Sequence, residues 1–249
     1  MKIFVNETPE ALGEKAALEI ADTLRRAIDK KGEARIVLST GASQFTTISA
    51  LIRQDLDWKR VTMFHLDEYI GLSESHPASF RKYLKERFAA HVPIGRAVYV
   101  DGERDPAETI RNLSRAINEA PIDIGVIGIG VNAHIAFNDP PANFDTRELY
   151  IIVNLDEQCK NQQVGEGWFA SAGEVPKSAI TMTPFGIMRC ERIVSAVPYA
   201  VKAAAVKRML EAPGVDPMIP ATILKTHGNI SLYLDRDSAS ACPGDIGEK

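Results

Sequence analysis

Short apolar runs alternate with helical patterns along this chain, and the alternation predicts its fold class. Buried strands are predicted at residues 36–39, 61–66, 97–100, 122–127, 149–153, 193–197 and 230–234. Helices are predicted after Ser43 to about residue 54, and at residues 77–88, 105–119, 183–188, 200–210 and 220–226. Strands that alternate with helices form a mostly parallel sheet covered on both faces. We therefore predict an α/β fold, doubly wound, in the form of a Rossmann-like three-layer sandwich.

No break in composition divides the chain, so residues 1–235 are expected to form one α/β domain. Residues 236–249 are polar and include Pro243 and Gly244, which predicts a loosely ordered tail. The chain starts with Met1-Lys2-Ile3-Phe4-Val5 and then turns polar. An apolar stretch this short predicts neither a signal peptide nor a membrane anchor.

Composition and charge narrow the functional classes. Of 249 residues, 45% are hydrophobic and 25% are charged, and the formal net charge is −4. Because no basic stripe is present, nucleic acids and anionic membranes are not expected as partners. The three cysteines, Cys159, Cys190 and Cys242, are far apart and form no metal-binding pattern. This cysteine usage predicts a reduced, cytoplasmic setting, and neither a metal nor another cofactor is expected.

The turn Thr40-Gly41-Ala42-Ser43 is the first candidate binding element, because it follows a predicted strand and opens a predicted helix. Backbone N–H groups converge at such a turn, and the helix dipole favours an anion there. The alternative is an ordinary strand–helix connection in which Ser43 caps the helix. Lys202 is a second anion-binding candidate. It lies near the start of a predicted helix, where cations are disfavoured, so a positive charge placed there indicates a bound anion. The alternative for Lys202 is a solvated surface lysine.

Asp67 and Glu68 are candidate proton-transfer groups at the end of the strand predicted at residues 61–66. Successive side chains of a strand face opposite ways, so only one of the two can face a given site. Asp67 is the stronger candidate for a general base because it lies nearer the strand end. The alternative for the pair is a solvated loop or a helix N-cap.

The strand predicted at residues 122–127 runs into glycines, and His134 and Asp139 follow closely. Ligands of open α/β sheets bind at the carboxyl ends of the strands. A histidine exchanges protons near neutral pH, and a carboxylate can fix its tautomer. Asn132 could anchor a hydrogen bond or serve only as a turn residue. A lone histidine is more often structural, but its place after a Gly-x-Gly turn favours a reaction centre.

Together these segments resemble the glucosamine-6-phosphate deaminase family. The resemblance rests on residues 40–43, on Leu66-Asp67-Glu68-Tyr69-Ile70-Gly71-Leu72 with His76-Pro77, on His134-Ile135-Ala136-Phe137-Asn138-Asp139-Pro140, and on residues 175–182. It implies a doubly wound α/β fold shared with 6-phosphogluconolactonases. It also implies a metal-free conversion of glucosamine 6-phosphate and water to fructose 6-phosphate and ammonia, through ring opening and an enediol-like intermediate.

The resemblance further implies a role for each matched residue. Asp67 would carry a proton between C2 and C1, and His134 would help to open the pyranose ring, with Asp139 in a supporting acidic position. The matched phosphate-binding positions are Thr40, Gly41, Ala42, Ser43 and Lys202. Asn132 stands where well-known members have aspartate, so it can hold His134 but cannot balance the charge of an imidazolium.

Residues 162–169 contain no arginine, although the family has a substrate-contacting arginine in this region. Trp168 or Phe169 could form a lid over the site; the alternative is a surface loop anchored by an aromatic residue. Three other functions stay open: a galactosamine-6-phosphate isomerase, a 6-phosphogluconolactonase, and a sugar-phosphate sensor without turnover. The expected partner is a small amino-sugar phosphate, and the sequence leaves both a monomer and a homo-oligomer open.

Overall fold

The computed structural model describes residues 1–165, 167–242, 244 and 246. Its strands are β1 (Lys2–Asn6), β2 (Ala34–Leu38), β3 (Val61–His65), β4 (Asp67–Tyr69), β5 (Arg96–Val98), β6 (Ile124–Val126), β7 (Tyr150–Asn154), β8 (Ser178–Met182), β9 (Ile193–Val197) and β10 (Ile230–Asp235). Its helices are α1 (Pro9–Lys31), α2 (Phe45–Leu51), α3 (Phe80–Leu84), α4 (Pro106–Asn118), α5 (Glu157–Gly165), α6 (Pro184–Met188), α7 (Ala203–Glu211) and α8 (Arg236–Ala239). Short 3₁₀ turns include Ala42–Gln44, Ala200–Lys202 and Pro220–Thr226.

Within the described residues, seven strands form a parallel sheet in the order β1–β10–β9–β6–β2–β3–β5. A smaller antiparallel sheet has the order β4–β8–β7. The winding of the large sheet reverses beside β2, because β3 and β5 lie on one side of it and β6, β9 and β10 on the other. Ligands of such folds bind at this switch point, outside the carboxyl ends of the strands.

Alternating side chains of the large sheet enter two hydrophobic cores, one on each face. In β2, Ile36 and Leu38 belong to one core, whereas Val37 belongs to the other. Residues of α1 and α2 complete the first core, and residues of α4, α6 and α7 complete the second. Helices therefore cover both faces of the sheet, and the predicted doubly wound α/β fold is confirmed.

The predictions miss α1, although its boundary signals stand in the sequence. Thr8 caps the helix by accepting a hydrogen bond from the N–H of Ala11, and Pro9 occupies the first turn. Gly32 ends the helix with a φ of 83°, a left-handed conformation that glycine adopts readily. Although α1 has 23 residues, no helix in the described residues is long and apolar enough to cross a membrane.

Two predicted elements near the site need correction. The helix predicted at residues 77–88 begins at Phe80, because Ser79 accepts a hydrogen bond from the N–H of Lys82 and acts as the N-cap. The strand predicted at residues 149–153 exists as β7, but it belongs to the small antiparallel sheet. Its partner β8 and the third strand, β4, are absent from the predicted strands. The three residues of β4 are largely polar, so they carry no apolar pattern that would reveal a strand.

The expectation of a loosely ordered tail is wrong for residues 236–239, which form α8. Asp235 caps this helix by accepting from the N–H of Ser238 at 2.7 Å. The hydroxyl of Ser238 accepts from the N–H of Asp235 at 3.1 Å, which completes a capping box. Further along the expected tail, residues 243, 245 and 247–249 lie outside the described residues.

Candidate functional site

A cleft of about 230 Å³ opens over the switch point of the large sheet, at the carboxyl ends of β2, β6 and β9. It brings together most of the predicted site residues: Thr40, Gly41, Ala42, Ser43, Asp67, His134, Trp168 and Lys202. Other lining residues include Ser39, Gly128, Gly130, Phe137, Gln163 and Tyr199. Loops that are far apart in the sequence thus meet in one concave site, as is typical of ligand sites.

The backbone of residues 40–43 is shaped to receive an anion. Gly41 has a φ of 97°, and a 3₁₀ turn over Ala42–Gln44 begins directly after it. Amides at the start of a helical turn lack a carbonyl partner one turn earlier, so they can bind a ligand. The hydroxyl of Tyr83 in α3 donates to the carbonyl of Gly41 at 3.0 Å and supports the turn. Ser43 does not cap α2, since its hydroxyl accepts from Nε2 of Gln44 at 3.2 Å instead.

Lys202 reaches the same cleft from the turn that follows β9. It is only 8% exposed, which is unusual for a lysine that merely solvates a surface. The chain enters this turn through Tyr199, whose φ of 81° is rare for a residue other than glycine. The N–H of Tyr199 donates to Oδ2 of Asp235 at 2.9 Å, which ties the turn to the end of β10. Lys202 is therefore held at the cleft by a specific local structure.

Asp67 opens β4 and presents a nearly buried carboxyl group, 5% exposed, to the cleft. Burial first, and the charge of Glu68 second, raise its pKa from 3.8 to about 8. The nearby backbone N–H of Phe137 opposes this rise in the pKa only in part. A carboxyl group with a pKa near neutrality can both accept a proton and return it, as a general acid–base catalyst must.

Glu68 is not part of the cleft wall, because neighbouring side chains of a strand face opposite ways. Its fully buried carboxylate accepts from the hydroxyl of Ser79 at 2.9 Å and from the N–H of Arg81 at 2.8 Å. It also lies 3.5 Å from Nε of Arg81. These contacts fasten β4 to the start of α3. Glu68 is therefore neither in a solvated loop nor an N-cap, since it is buried in β4 and Ser79 is the N-cap of α3. Asp67 stays the candidate base.

His134, Asp139 and Asn132 form one polar group. Nδ1 of His134 lies 3.0 Å from Oδ1 of Asp139, and Nδ2 of Asn132 donates to the same oxygen at 2.9 Å. Burial works to raise the pKa of Asp139, but hydrogen bonds and charge from His134, with Asn132, outweigh it and lower that pKa. Asn132 does not hold the imidazole ring; its Oδ1 accepts from the backbone N–H of His134 at 3.0 Å. Only His134 of the three lines the cleft, so the other two support it from behind.

The loop around His134 contains residues with strained backbone conformations. A Cβ atom at Gly130 would lie 2.2 Å from Nε2 of His134, so glycine is required there for the ring to fit. Ala133 and Ala136 have φ values of 71° and 51°. Across the described chain, the non-glycine residues with positive φ are these two and Tyr199, and all three lie in loops of the cleft. Strain of this kind clusters at functional sites.

Trp168 lines the cleft, but Phe169 does not, so the expectation that Phe169 covers the site is not met. Phe169 is buried instead in a hydrophobic cluster with Tyr69 and Phe137. Its ring also stacks on His76, with centroids 5.2 Å apart. Phe169 therefore anchors the segment that brings Trp168 to the cleft.

Gln163 is a lining residue that the sequence does not single out. It lies in α5, a helix absent from the predictions because its sequence has few apolar residues in helical spacing. The hydroxyl of Tyr69 donates to Oε1 of Gln163 at 2.7 Å. In the described part of the chain, no three His, Cys, Asp or Glu side chains come together in a way that could hold a metal ion.

Comparison with known proteins identifies the family. The model of a family described as glucosamine-6-phosphate isomerases/6-phosphogluconolactonase matches residues 7–232. The glucosamine-6-phosphate deaminase of Lactobacillus delbrueckii subsp. bulgaricus is 33% identical over 241 residues, which cover 96% of this chain and 99% of that protein. Glucosamine-6-phosphate deaminase 1 of Bacillus subtilis is 33% identical over 251 residues, or 98% of this chain and all of that protein.

Comparison with solved structures supports the same family. A monomeric glucosamine-6-phosphate deaminase matches with a TM-score of 0.88 and 32% identity, over 97% of this chain and 100% of that chain. A 6-phosphogluconolactonase from Thermotoga maritima matches with a TM-score of 0.77 over 94% of this chain and 99% of that chain, but at 15% identity it shares only the fold. The chain belongs to the family of glucosamine-6-phosphate isomerases and 6-phosphogluconolactonases.

Proposed function

We propose that this protein is a deaminating isomerase that converts glucosamine 6-phosphate and water to fructose 6-phosphate and ammonia. The observation that carries the proposal is a single cleft in which an anion-binding turn, a carboxyl group of raised pKa and a carboxylate-paired histidine meet. Relatives named glucosamine-6-phosphate deaminases, at 33% identity over nearly the whole chain, support this chemistry. The free cysteines Cys159, Cys190 and Cys242 support the cytoplasm as its place of action.

The phosphate group serves as a handle on the substrate. The backbone amides of residues 40–43 and the ammonium of Lys202 bind it at one end of the cleft. Binding energy from this remote group fixes the sugar so that C1 and C2 lie against Asp67. Such positioning can contribute several kcal/mol, on the order of 7–11, to lowering a barrier.

His134 opens the pyranose ring by exchanging a proton with the ring oxygen. Because Nδ1 faces Asp139, Nε2 is the atom that serves the substrate. The Asp139 carboxylate stabilises the imidazolium that forms during this exchange. The amide of Asn132 donates to Asp139 and keeps the carboxylate oriented. The negative charge beside the ring therefore comes from Asp139, and Asn132 contributes a hydrogen-bond donor that an aspartate there would lack.

Asp67 then moves one proton from C2 to C1. Removal of the C2 proton gives the enediol-like intermediate, and its return to C1 leaves an imine at C2. Water adds to the imine carbon, and the C–N bond breaks to give a ketone and ammonia. Since water replaces the amine, the net change is hydrolytic as well as isomerising.

The pH dependence of the reaction should report the ionisation of Asp67. A base must be deprotonated to act, and the pKa of Asp67 is raised to about 8. We expect kcat/KM for glucosamine 6-phosphate to rise about tenfold per pH unit below that value and to level off above it. Initial rates between about pH 6 and about pH 9 measure this, because kcat/KM reports the free enzyme. A level profile between about pH 6 and about pH 8 would contradict the assignment of Asp67 as the base.

The proposed function is tested by ammonia release from the purified protein without added metal. We expect ammonia and fructose 6-phosphate, in equal amounts, from glucosamine 6-phosphate. Galactosamine 6-phosphate, the C4 epimer, is assayed in parallel, and faster release from it would replace the substrate named here. Hydrolysis of 6-phosphogluconolactone without ammonia release from either sugar would overturn the proposal in favour of a lactonase. Binding of both sugars without any product would indicate a sensor.

A further inference from the structure

Gln163 brings a polar side chain to the cleft wall that the proposed mechanism does not use. Its side chain lines the cleft from α5, and the residue is only 6% exposed. The hydroxyl of Tyr69 donates to Oε1 of Gln163 at 2.7 Å. Because Tyr69 is fully buried in β4, this hydrogen bond fixes the orientation of the carboxamide.

The hydrogen bond to Tyr69 engages the acceptor atom of the carboxamide, Oε1, and does not involve the donor atom, Nε2. A glutamine side chain has one acceptor oxygen and one nitrogen with two hydrogens, and the two atoms diverge. With Oε1 directed at Tyr69, Nε2 is directed away from it. Among the described residues, none accepts a hydrogen bond from Nε2 of Gln163. Nε2 is not one of the buried side-chain atoms without a partner, so it keeps some exposure at the cleft. A bound molecule that covers it must offer an acceptor, because a buried donor is costly to leave unpaired.

We infer that Gln163 is a specificity-determining residue whose Nε2 donates a hydrogen bond to a hydroxyl oxygen of the bound sugar. The inference rests on the proposed function for the identity of the sugar. Asp67 and Tyr69 are alternate residues of β4, so their side chains leave the same face of the strand about 7 Å apart. The carboxamide is anchored to this strand and not to the phosphate-binding turn. It therefore lies beside the carbon chain that Asp67 acts on.

The chemistry of the donor also favours a hydroxyl over the phosphate. A neutral amide makes weaker hydrogen bonds to anions than charged donors do. The cleft already has the amides of residues 40–43 and the ammonium of Lys202 for the phosphate. A site built to bond a substrate hydroxyl discriminates strongly against a sugar that lacks it or carries it in the opposite configuration. Gln163 would thus contribute to the choice among hexosamine phosphates.

The test compares two variants that differ only at residue 163. Tyr69→Phe is the control, and Tyr69→Phe/Gln163→Met removes the carboxamide in a background that has no tyrosine hydroxyl to bond it. Calorimetry measures the binding of two probes, glucitol 6-phosphate, an unreactive open-chain hexitol phosphate, and inorganic phosphate. We expect the double variant to bind glucitol 6-phosphate about 2- to 10-fold more weakly than the control, the effect of losing one hydrogen bond between uncharged groups. Inorganic phosphate should bind both variants equally.

Equal weakening for the two probes would overturn the inference, because it would assign the donor to the phosphate. No change for either probe would overturn it as well. If the double variant fails to fold, Gln163→Glu keeps an acceptor for Tyr69 and replaces the donor with an acceptor, and it should weaken glucitol 6-phosphate binding more than phosphate binding. The binding data stand apart from turnover. A wild-type protein that binds glucitol 6-phosphate but releases no ammonia would refute the proposed function and leave the test of Gln163 intact.

Discussion

Replacing Asp67 with asparagine should lower kcat for glucosamine 6-phosphate at least ~10²-fold, the effect of removing a general acid–base group. Asparagine has nearly the same shape and fits the same position in β4, but it cannot accept a proton from C2. The phosphate-binding turn and Lys202 are unchanged, so the affinity for glucitol 6-phosphate should stay within about threefold of the wild type. Ammonia release and calorimetry measure the two quantities separately.

The stability of the Asp67→Asn variant at different pH values provides an independent check on the ionisation of Asp67. The pKa of Asp67 is raised from 3.8 to about 8 by folding, so the folded protein holds this proton more tightly than the unfolded chain does. The stability gained from holding this proton is fully present below the pKa that Asp67 has in the unfolded chain, and it is lost as pH rises through about 8. Asparagine, which stays neutral, should therefore raise the melting temperature at high pH, with a smaller difference in acid. A variant with the melting temperature of the wild type at high pH and with full activity would contradict both assignments. It would show that Asp67 does not carry a buried charge at high pH and that it is not the base.

The sequence predicts the large sheet better than the small one, for a physical reason. Strands buried on both faces, such as β2 and β9, are nearly continuous apolar runs, so they can be recognised without knowing their partners. The strand β4 reads Asp67-Glu68-Tyr69 and becomes a strand only because it pairs with β8. Such tertiary pairing leaves no local pattern. The helix α1 is a different case, since Thr8, Pro9 and Gly32 mark its ends in the sequence itself.

Candidate site residues are predictable where they follow a strand of the large sheet. Residues 40–43, Asp67 and His134 all lie just beyond such strands, and the carboxyl ends of parallel strands meet at one edge. Gln163 gives no such signal, because only the packing of α5 against Tyr69 brings it to the cleft. The role of Asn132 was also beyond the sequence. The resemblance suggests that it holds His134. In the structure Asn132 holds the backbone N–H of His134 and not the imidazole ring, and its amide nitrogen donates to Asp139.

Replacing His134 with glutamine should lower kcat/KM for glucosamine 6-phosphate on the order of 10²-fold, because ring opening would lose its acid–base group. The expected loss depends on the form of the substrate. A 4,5-dideoxy analogue has no hydroxyl that could close either a pyranose or a furanose ring, so it reaches the cleft in open-chain form. The variant should turn over this analogue within about threefold of the wild-type rate, since Asp67 still transfers the proton. Stopped-flow or coupled assays of ammonia release on both sugars measure the difference.

The comparison between the two sugars separates ring opening from a structural role. His134 lies beside Gly130 in a loop with strained backbone at Ala133 and Ala136, so its replacement could disturb the cleft as a whole. A disturbed cleft would slow both sugars alike, and equal slowing would remove the ring-opening role. Asp139→Asn is the matched variant, because it leaves the imidazole in place and removes only the charge beside Nδ1. It should slow the closed-ring sugar in the same direction but less than His134→Gln does, since a neutral partner stabilises the imidazolium less without abolishing proton exchange.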